Sequence, residues 1–396
     1  MMKLFKWLSP LSFMSFTYFA YSEPTVVQLT PPSISRQTVS QELVCTRPMR
    51  EGCFNISLQK HRQKEKEKLI VNCYGMGGSG WTTLFGSVNK AIELFEGTIP
   101  DKERPIRVIG SGCMGLTAAI ELSRLDYRVD GITTKEAYDI PSWRAAGYFA
   151  LVSVKTSPQE QANLNEIGMK TFLTYRKIEQ GQHAYIGPEA VRLMPVFCSE
   201  ETESGVEDLE ARGLIPQKEL VTLDFGNGVM HPGYIKYMTY FMNTTTLMRQ
   251  LKAEVEKLGI PIKIETVTSY DDIDESVIFN CAGLGGRELN QDAHMVPVRG
   301  HLAVLSPAAG TEHMDYMIYT KVEQEGKEEY IYLFPKNCSV TPDQIAGINC
   351  AGVLGGTFIP HADQLSEEEQ KELDRKEFKK LLDRNSLFFL GHPFLE

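Results

Sequence analysis

Two hydrophobic periodicities alternate along this chain of 396 residues. Short apolar, β-branched runs at residues 106–109, 146–154, 262–267, 277–281, 302–305 and 330–335 have strand length and strand composition. Between them, apolar residues recur every three or four positions over 82–95, 114–125, 158–180, 234–258 and 365–382, the spacing of one helix face. In the last of these, Ser366 and Glu369 form a capping box, and Glu372 with Lys376 makes an i,i+4 ion pair on a solvated face. The charged run 60–68 predicts a solvated hairpin loop between strands at 55–59 and 69–73. The alternation predicts an α/β fold class, a sheet with a second, more β-rich region inserted. No internal repeat or low-complexity tract interrupts it.

The length allows two domains, and 42% hydrophobic with 23% charged residues is the composition of an ordinary globular protein. A net charge of −10 argues against nucleic acid or anionic lipid as the partner. Residues 1–22 have the form of an export signal: Lys3 and Lys6, an apolar stretch too short for a comfortable membrane span, and Ala20-Tyr-Ser22 as a cleavage site. An uncleaved interfacial anchor is the lesser alternative. Residues 23–42 then predict an extended lead-in. Of eight cysteines, Cys73, Cys113 and Cys281 sit in or beside glycine-rich turns as buried small residues, while Cys45 with Cys53, or Cys338 with Cys350, are candidate bridged pairs. No spacing suggests a metal.

The most informative segment is Arg107-Val-Ile-Gly-Ser-Gly-Cys-Met-Gly-Leu116, a strand, a G-x-G-x-x-G turn and the start of an apolar helix. In such a turn Gly110 allows the tight bend and Gly112 admits a pyrophosphate. Gly115 lets the helix pack close, with its N-terminus aimed at phosphate charge. Three further glycine clusters follow strand-like runs: Cys73-Tyr-Gly-Met-Gly-Gly-Ser-Gly-Trp-Thr82, Asn280-Cys-Ala-Gly-Leu-Gly-Gly286 and Leu354-Gly-Gly-Thr357. Together they predict strand ends converging on one extended ligand.

These residues resemble the FAD-dependent oxidoreductases of the D-amino-acid oxidase family, which includes glycine and sarcosine oxidases. The likeness rests on Ile109-Gly-Ser-Gly-Cys-Met-Gly-Leu116, Pro141-Ser-Trp-Arg-Ala-Ala-Gly147, Val277-Ile-Phe-Asn-Cys-Ala-Gly283, Val298-Arg-Gly-His301 and Leu354-Gly-Gly356. Their order departs from the family's. The counterparts of its closing segments, Arg47-Pro-Met-Arg50 and Asn72-Cys-Tyr-Gly-Met-Gly-Gly-Ser-Gly80, precede the dinucleotide turn, as a circular permutation joined through residues 96–104 would produce.

The resemblance implies a Rossmann-like FAD-binding domain with an inserted, β-rich substrate domain. On that reading residues 43–155, 234–290 and 350–396 belong to the first, and 156–233 and 291–349 to the second. It implies FAD contacts from Gly110, Gly112, Met114 and Gly115; from Thr133 or Thr134, where the family's ribose-binding acid is missing; and from Ser142, Trp143, Arg144, Ala145, Ala146 and Gly147. Cys281, Ala282 and Gly283 would lie on the adenine side, and Gly77, Gly78, Ser79, Gly80, Trp81 and Thr82 at the isoalloxazine edge. Arg47 would clamp the substrate carboxylate and Arg50 would be structural. Tyr234 would reach the carboxylate too, with Tyr237 and Tyr240 as alternatives. The expected activity is oxidation of a small amino acid or amine at Cα, with hydride transfer to flavin N5 and reoxidation by O2 to H2O2. The alternatives are a dehydrogenase with another acceptor, an exported flavoprotein without turnover and, last, an NAD-binding dehydrogenase.

Overall fold

The computed structural model describes residues 24–395 apart from 64–65, 139, 153, 155, 307–308, 311–313 and 338–349. The expected export signal at 1–22 and Cys338 therefore lie outside the described residues. In chain order the first half comprises β1 (Thr25–Gln28), β2 (Val39–Arg50), β3 (Asn55–Gln63), β4 (Lys66–Tyr74), α1 (Gly80–Glu96), β5 (Ile106–Ile109), α2 (Cys113–Arg124), β6 (Val129–Thr134), α3 (Pro141–Arg144), α4 (Pro158–Glu179) and β7 (Val191–Ser199). There follow α5 (Glu207–Ala211), β8 (Glu219–Asp224), β9 (Met230–Met242), α6 (Thr244–Lys257), β10 (Ile262–Ile264), β11 (Val277–Asn280) and α7 (Gly285–Asn290). The last elements are β12 (Met295–Leu305), β13 (Met317–Gln324), β14 (Lys327–Asn337), β15 (Cys350–Gly355), β16 (Ile359–Pro360) and α8 (Glu367–Leu390).

Two sheets organise these elements. The smaller has six strands in the order β10-β6-β5-β11-β4-β3, parallel except for the edge strand β3. Its central strand β11 is buried along its whole length and opens on the apolar run Val277–Phe279 rather than on alternation, while β5 is buried except at Arg107, which pairs with Glu275. Helix α1 presents Trp81, Leu84, Phe85, Val88, Ile92 and Phe95 to the core, and α2 adds Leu116, Ala119 and Ile120. The larger sheet runs β1-β8-β9-β7-β13-β14-β15-β12-β16, with β2 paired to β12. Helix α8 packs on β12, β14 and β15, begins with the expected Ser366–Glu369 capping box, carries the Glu372–Lys376 ion pair at 3.3 Å and ends at Gly391 in the left-handed region.

Several expected elements take another form. Residues 230–242 are a strand, not the start of a helix: β9 pairs with β7 and β8, and helix α6 begins only after Asn243 caps Thr246. The described residues of 146–154 form no strand. Tyr148 makes one isolated bridge to Phe241, and side chains occupy much of the run's backbone, as when Thr239 Oγ1 donates to the Phe149 carbonyl at 2.9 Å. The 60–68 hairpin is paired well into its charged segment, with Lys60 opposite Leu69 and His61 opposite Lys68. The lead-in contains β1, which joins the larger sheet beside β8. Strand β2 belongs to that sheet as well, and so does the 230–242 strand. Cys45 and Cys53 are not bridged to each other. Among the described residues no helix is long and apolar enough to cross a membrane.

Candidate active site

The loops leaving β4, β5, β6 and β11 open into one cavity of about 380 Å³, whose opposite wall comes from β2, β12, β13 and β14 of the larger sheet. Gly110, Gly112 and Met114 line it from the β5–α2 turn, Thr134 from β6, and Cys281, Ala282 and Gly283 from the turn after β11. Gly77, Gly78, Ser79, Gly80, Trp81 and Thr82 line it from the β4–α1 turn. Ser142, Ala145, Ala146 and Gly147 line it beside α3, and Arg47 enters from β2. Segments from distant parts of the sequence therefore meet around a single space.

The remaining predicted residues support that lining from behind. A Cβ on Gly115 would lie 1.9 Å from the Gly110 carbonyl oxygen, so α2 sits directly against the turn that precedes it. Thr133 is buried, and its carbonyl accepts from the Gly110 amide at 2.8 Å. Trp143 is buried with its indole donating to Ala137 O at 3.2 Å, and the Arg144 guanidinium donates to Val44 O. Arg50 is structural as expected, bonded to Asp292 at 2.8 Å and to Cys53 O at 2.9 Å.

At the β6 end the acidic group facing the cavity is Glu136, two residues beyond Thr134. Glu136 Oε1 accepts the Ala137 and Tyr138 amides at 2.8 and 2.9 Å, which fixes the carboxylate at the rim. The sequence showed this glutamate, but the loop after β6 brings it into a position that strand register does not convey. Asp130 points elsewhere, paired with Arg128 at 2.8 Å.

The β4–α1 turn is stitched to β2: Gly77 N donates to Pro48 O at 2.9 Å, and Met49 bridges Met76. This register places Arg47 at the cavity. Its Nη1 donates to Thr357 O at 2.9 Å, and its guanidinium lies flat over Gly300, where a Cβ would come within 2.8 Å. Among the described residues no carboxylate pairs with it.

Tyr234 does not reach this space. It projects from β9 into the separate cluster with Phe388 and Phe225, its hydroxyl 3.3 Å from Thr320 Oγ1, and burial raises its pKa to about 12. Tyr237 and Tyr240 are likewise absent from the lining, and the Tyr240 hydroxyl donates to Glu179 at 2.8 Å.

The tyrosines that face Arg47 are Tyr319 and Tyr332, with Phe334 and Tyr148 completing an aromatic wall. Tyr332 stacks on Phe334 at 4.6 Å and Tyr148 stacks on the other side at 5.1 Å. Burial raises the Tyr332 pKa, opposed by the hydrogen-bonded Arg47 guanidinium, so the phenol stays protonated at neutral pH. Behind the wall, buried Lys336 donates to Trp143 O at 3.1 Å and Ala145 O at 2.8 Å, which ties β14 to the segment around α3. No local sequence signal singles these residues out, since β14 is apolar on both sides and Tyr319 and Tyr148 lie on other segments. Cys45, Cys73, Cys113 and Cys281 also line the cavity: burial pushes Cys113 up to about 11, and a hydrogen bond with Cys73 together with burial raises Cys281. Cys113 and Cys281 are therefore neutral thiols rather than nucleophiles.

The donor set fits a dinucleotide. Helices α1 and α2 start at the cavity with no acidic side chain in their first turns, and their glycine turns bring bare backbone to the surface. The model of the FAD dependent oxidoreductase family, DAO, matches residues 106–389, and the chain belongs to that family. It is 24% identical to a D-amino-acid oxidase of Streptomyces coelicolor over 206 residues, 52% of this chain and 60% of that enzyme. It is 27% identical to a D-amino-acid oxidase of Schizosaccharomyces pombe over 280 residues, 65% of this chain and 71% of that one. Among solved structures it is similar to a fructosamine oxidase, Amadoriase II of Aspergillus fumigatus, at 14% identity and a TM-score of 0.42, covering 72% of this chain and 74% of that one.

Proposed function

We propose that the cavity holds FAD and that the protein oxidises a small amino acid or related amine at Cα. Bound FAD would supply the acceptor for the Cα hydrogen and its electron pair, with O2 as the terminal oxidant and H2O2 as the reduced product. The chain's own residues do the rest. Glu136, in place of the strand-end acid, accepts from the ribose hydroxyls. The backbone of Gly110 and Gly112 receives the pyrophosphate at the head of α2, where the helix dipole favours negative charge. Gly77–Thr82 and the N-terminus of α1 face the ring system and stabilise negative charge that builds there on reduction.

Arg47 binds the substrate carboxylate, and the neutral Tyr332 phenol beside it steadies the guanidinium and supplies a further donor. Phe334 and Tyr148 exclude water from the reacting Cα. A substrate amine that arrives neutral needs no protein base. The observation that carries this reading is Arg47 itself: a guanidinium at the cavity shared by the glycine turns, with no carboxylate of the described chain to neutralise it. We also read residues 43–96 as the family's closing segment carried to the front by circular permutation, and residues 1–22 as an export signal. The permutation reading rests on the likeness of the segments at 47–50 and 72–80 to the family's closing segments, and on β4 lying beside β11 in the six-stranded sheet.

The test is a visible spectrum of the purified protein, followed by anaerobic mixing with D-amino acids, glycine and sarcosine. Bleaching of a flavin band by one of them, abolished in Arg47→Ala, is the expected result. A colourless protein that takes up no added FAD would end the proposal.

A further inference from the structure

Strand β12 separates two environments. Gly300 and Leu302 face the cavity, whereas Arg299 and His301 point to the opposite side, where α8 lies. There Asp374 accepts from Arg299 Nε at 2.7 Å and Nη2 at 2.6 Å, and sits 2.9 Å from His301 Nε2. His301 is fully buried and edged by Phe378 at 4.9 Å. Its Nδ1 lies 3.0 Å from the Thr357 hydroxyl, which also accepts the His301 amide at 2.7 Å.

A carboxylate only accepts, so His301 Nε2 carries a hydrogen, and in the neutral ring Nδ1 is then the bare acceptor. The Thr357 hydroxyl then donates to Nδ1 while accepting from the His301 amide. Burial lowers the imidazole pKa against the opposing pull of Asp374, in keeping with a neutral ring. Thr357 is thereby held on its helix side by both of its hydroxyl bonds. On the cavity side its carbonyl accepts from Arg47 at 2.9 Å. Gly356, just before it, leaves no room for a side chain, since a Cβ there would stand 1.9 Å from Tyr330 O.

We propose that Thr357, His301 and Asp374 are positioning residues for the Arg47 clamp, a through-sheet strut from α8 that aims the guanidinium's free edge at a substrate carboxylate. The proposal rests on Arg47 being that clamp. With Nη1 committed to Thr357, the guanidinium flat on Gly300 and the Tyr332 phenol bonded beside it, the remaining N–H groups are left for a carboxylate. The strut stops the long side chain from swinging out of that orientation. Asp374, far from the cavity, is thus a determinant of affinity for acidic substrates.

The probe is acetate, titrated calorimetrically into FAD-loaded protein, alongside KM and kcat for the best amino acid. Thr357→Val keeps the shape and the carbonyl but removes the hydroxyl. It is expected to weaken acetate binding and raise KM about tenfold, with kcat falling less than threefold and FAD affinity as in wild type, while the urea midpoint falls modestly because the His301 amide and Nδ1 lose their partner. Thr357→Ser, which restores the hydroxyl, is expected to recover most of the loss, and Asp374→Asn to show a smaller loss of the same kind. Wild-type acetate affinity in Thr357→Val, while Arg47→Ala loses it, would overturn the strut and leave the clamp standing. Wild-type acetate affinity in Arg47→Ala would instead overturn the clamp. A Thr357→Val protein that loses FAD and stability in step with acetate would show a merely structural threonine, which also overturns the strut.

Discussion

Two alanine substitutions in one turn should separate folding from cofactor binding. At Gly115 the new methyl would meet the Gly110 carbonyl oxygen at 1.9 Å and its carbon at 2.9 Å, against the 3.4 Å of ordinary contact. Backbone cannot swing aside as a side chain can. Relief requires α2 to back away from β5 by about 1.5 Å, but Leu116, Ala119 and Ile120 lock that helix into the core. Overpacking of this kind costs about 1–3 kcal/mol or more, and alanine's better helix propensity offsets about 1 kcal/mol. A net loss of about 2 kcal/mol is expected. Gly112 is different: its φ of −69° suits any residue, and its Cβ would come only within 3.2 Å of Ser142 Oγ, a side chain able to rotate. Gly112→Ala should therefore leave the apoprotein within about 1 kcal/mol of wild type, yet lower FAD affinity at least tenfold by placing a methyl where the pyrophosphate must approach. Urea denaturation of the two apoproteins and fluorescence titration with FAD measure both quantities. Equal stability losses, or a Gly115→Ala apoprotein as stable as wild type, would refute the reasoning.

Three further outcomes follow from the same geometry. Arg47→Ala removes two charge-assisted hydrogen bonds worth about 1.5–3 kcal/mol each, so kcat/KM for the best amino acid should fall roughly 10²–10⁴-fold while the flavin spectrum persists. Glu136→Gln keeps an acceptor for the Ala137 and Tyr138 amides but removes the charge at the rim; FAD affinity should drop about tenfold in a titration, with no change in urea midpoint. His183, packed against Phe85 and Tyr185, has its pKa lowered from 6.5 to about 4 by burial and by nearby Arg124. Between those values the unfolded chain binds more protons than the folded one, so stability is full above pH 6.5 and declines as pH falls toward 4. In His183→Gln the slope of unfolding free energy against pH over that interval should be shallower, and an unchanged slope would remove the histidine from the account.

What the sequence conveyed, and what it did not, divides along local and non-local lines. The β5–α2 turn and the α8 capping box are specified by residues within a few positions of one another, so reading them needs no knowledge of partners. The placement of Arg47 beside the glycine turns was also legible, because both segments carry motifs whose likenesses meet in a known fold. Tyr234 was not. Tyr234, Tyr237 and Tyr240 repeat every third residue as a helix face does, yet the run is aromatic and β-branched, and its pairing with β7 and β8 decides the outcome from far away in sequence. The cavity tyrosines failed to register for a related reason. Strand β14 is apolar on both sides, so alternation alone cannot say whether Tyr332, Phe334 and Lys336 or their neighbours turn toward the cavity. Pairing with β13 and β15 fixes that choice. A phenol for the carboxylate clamp can therefore come from any strand whose register brings it to Arg47. The chemistry demands a donor at that point in space, not at a particular distance along the chain.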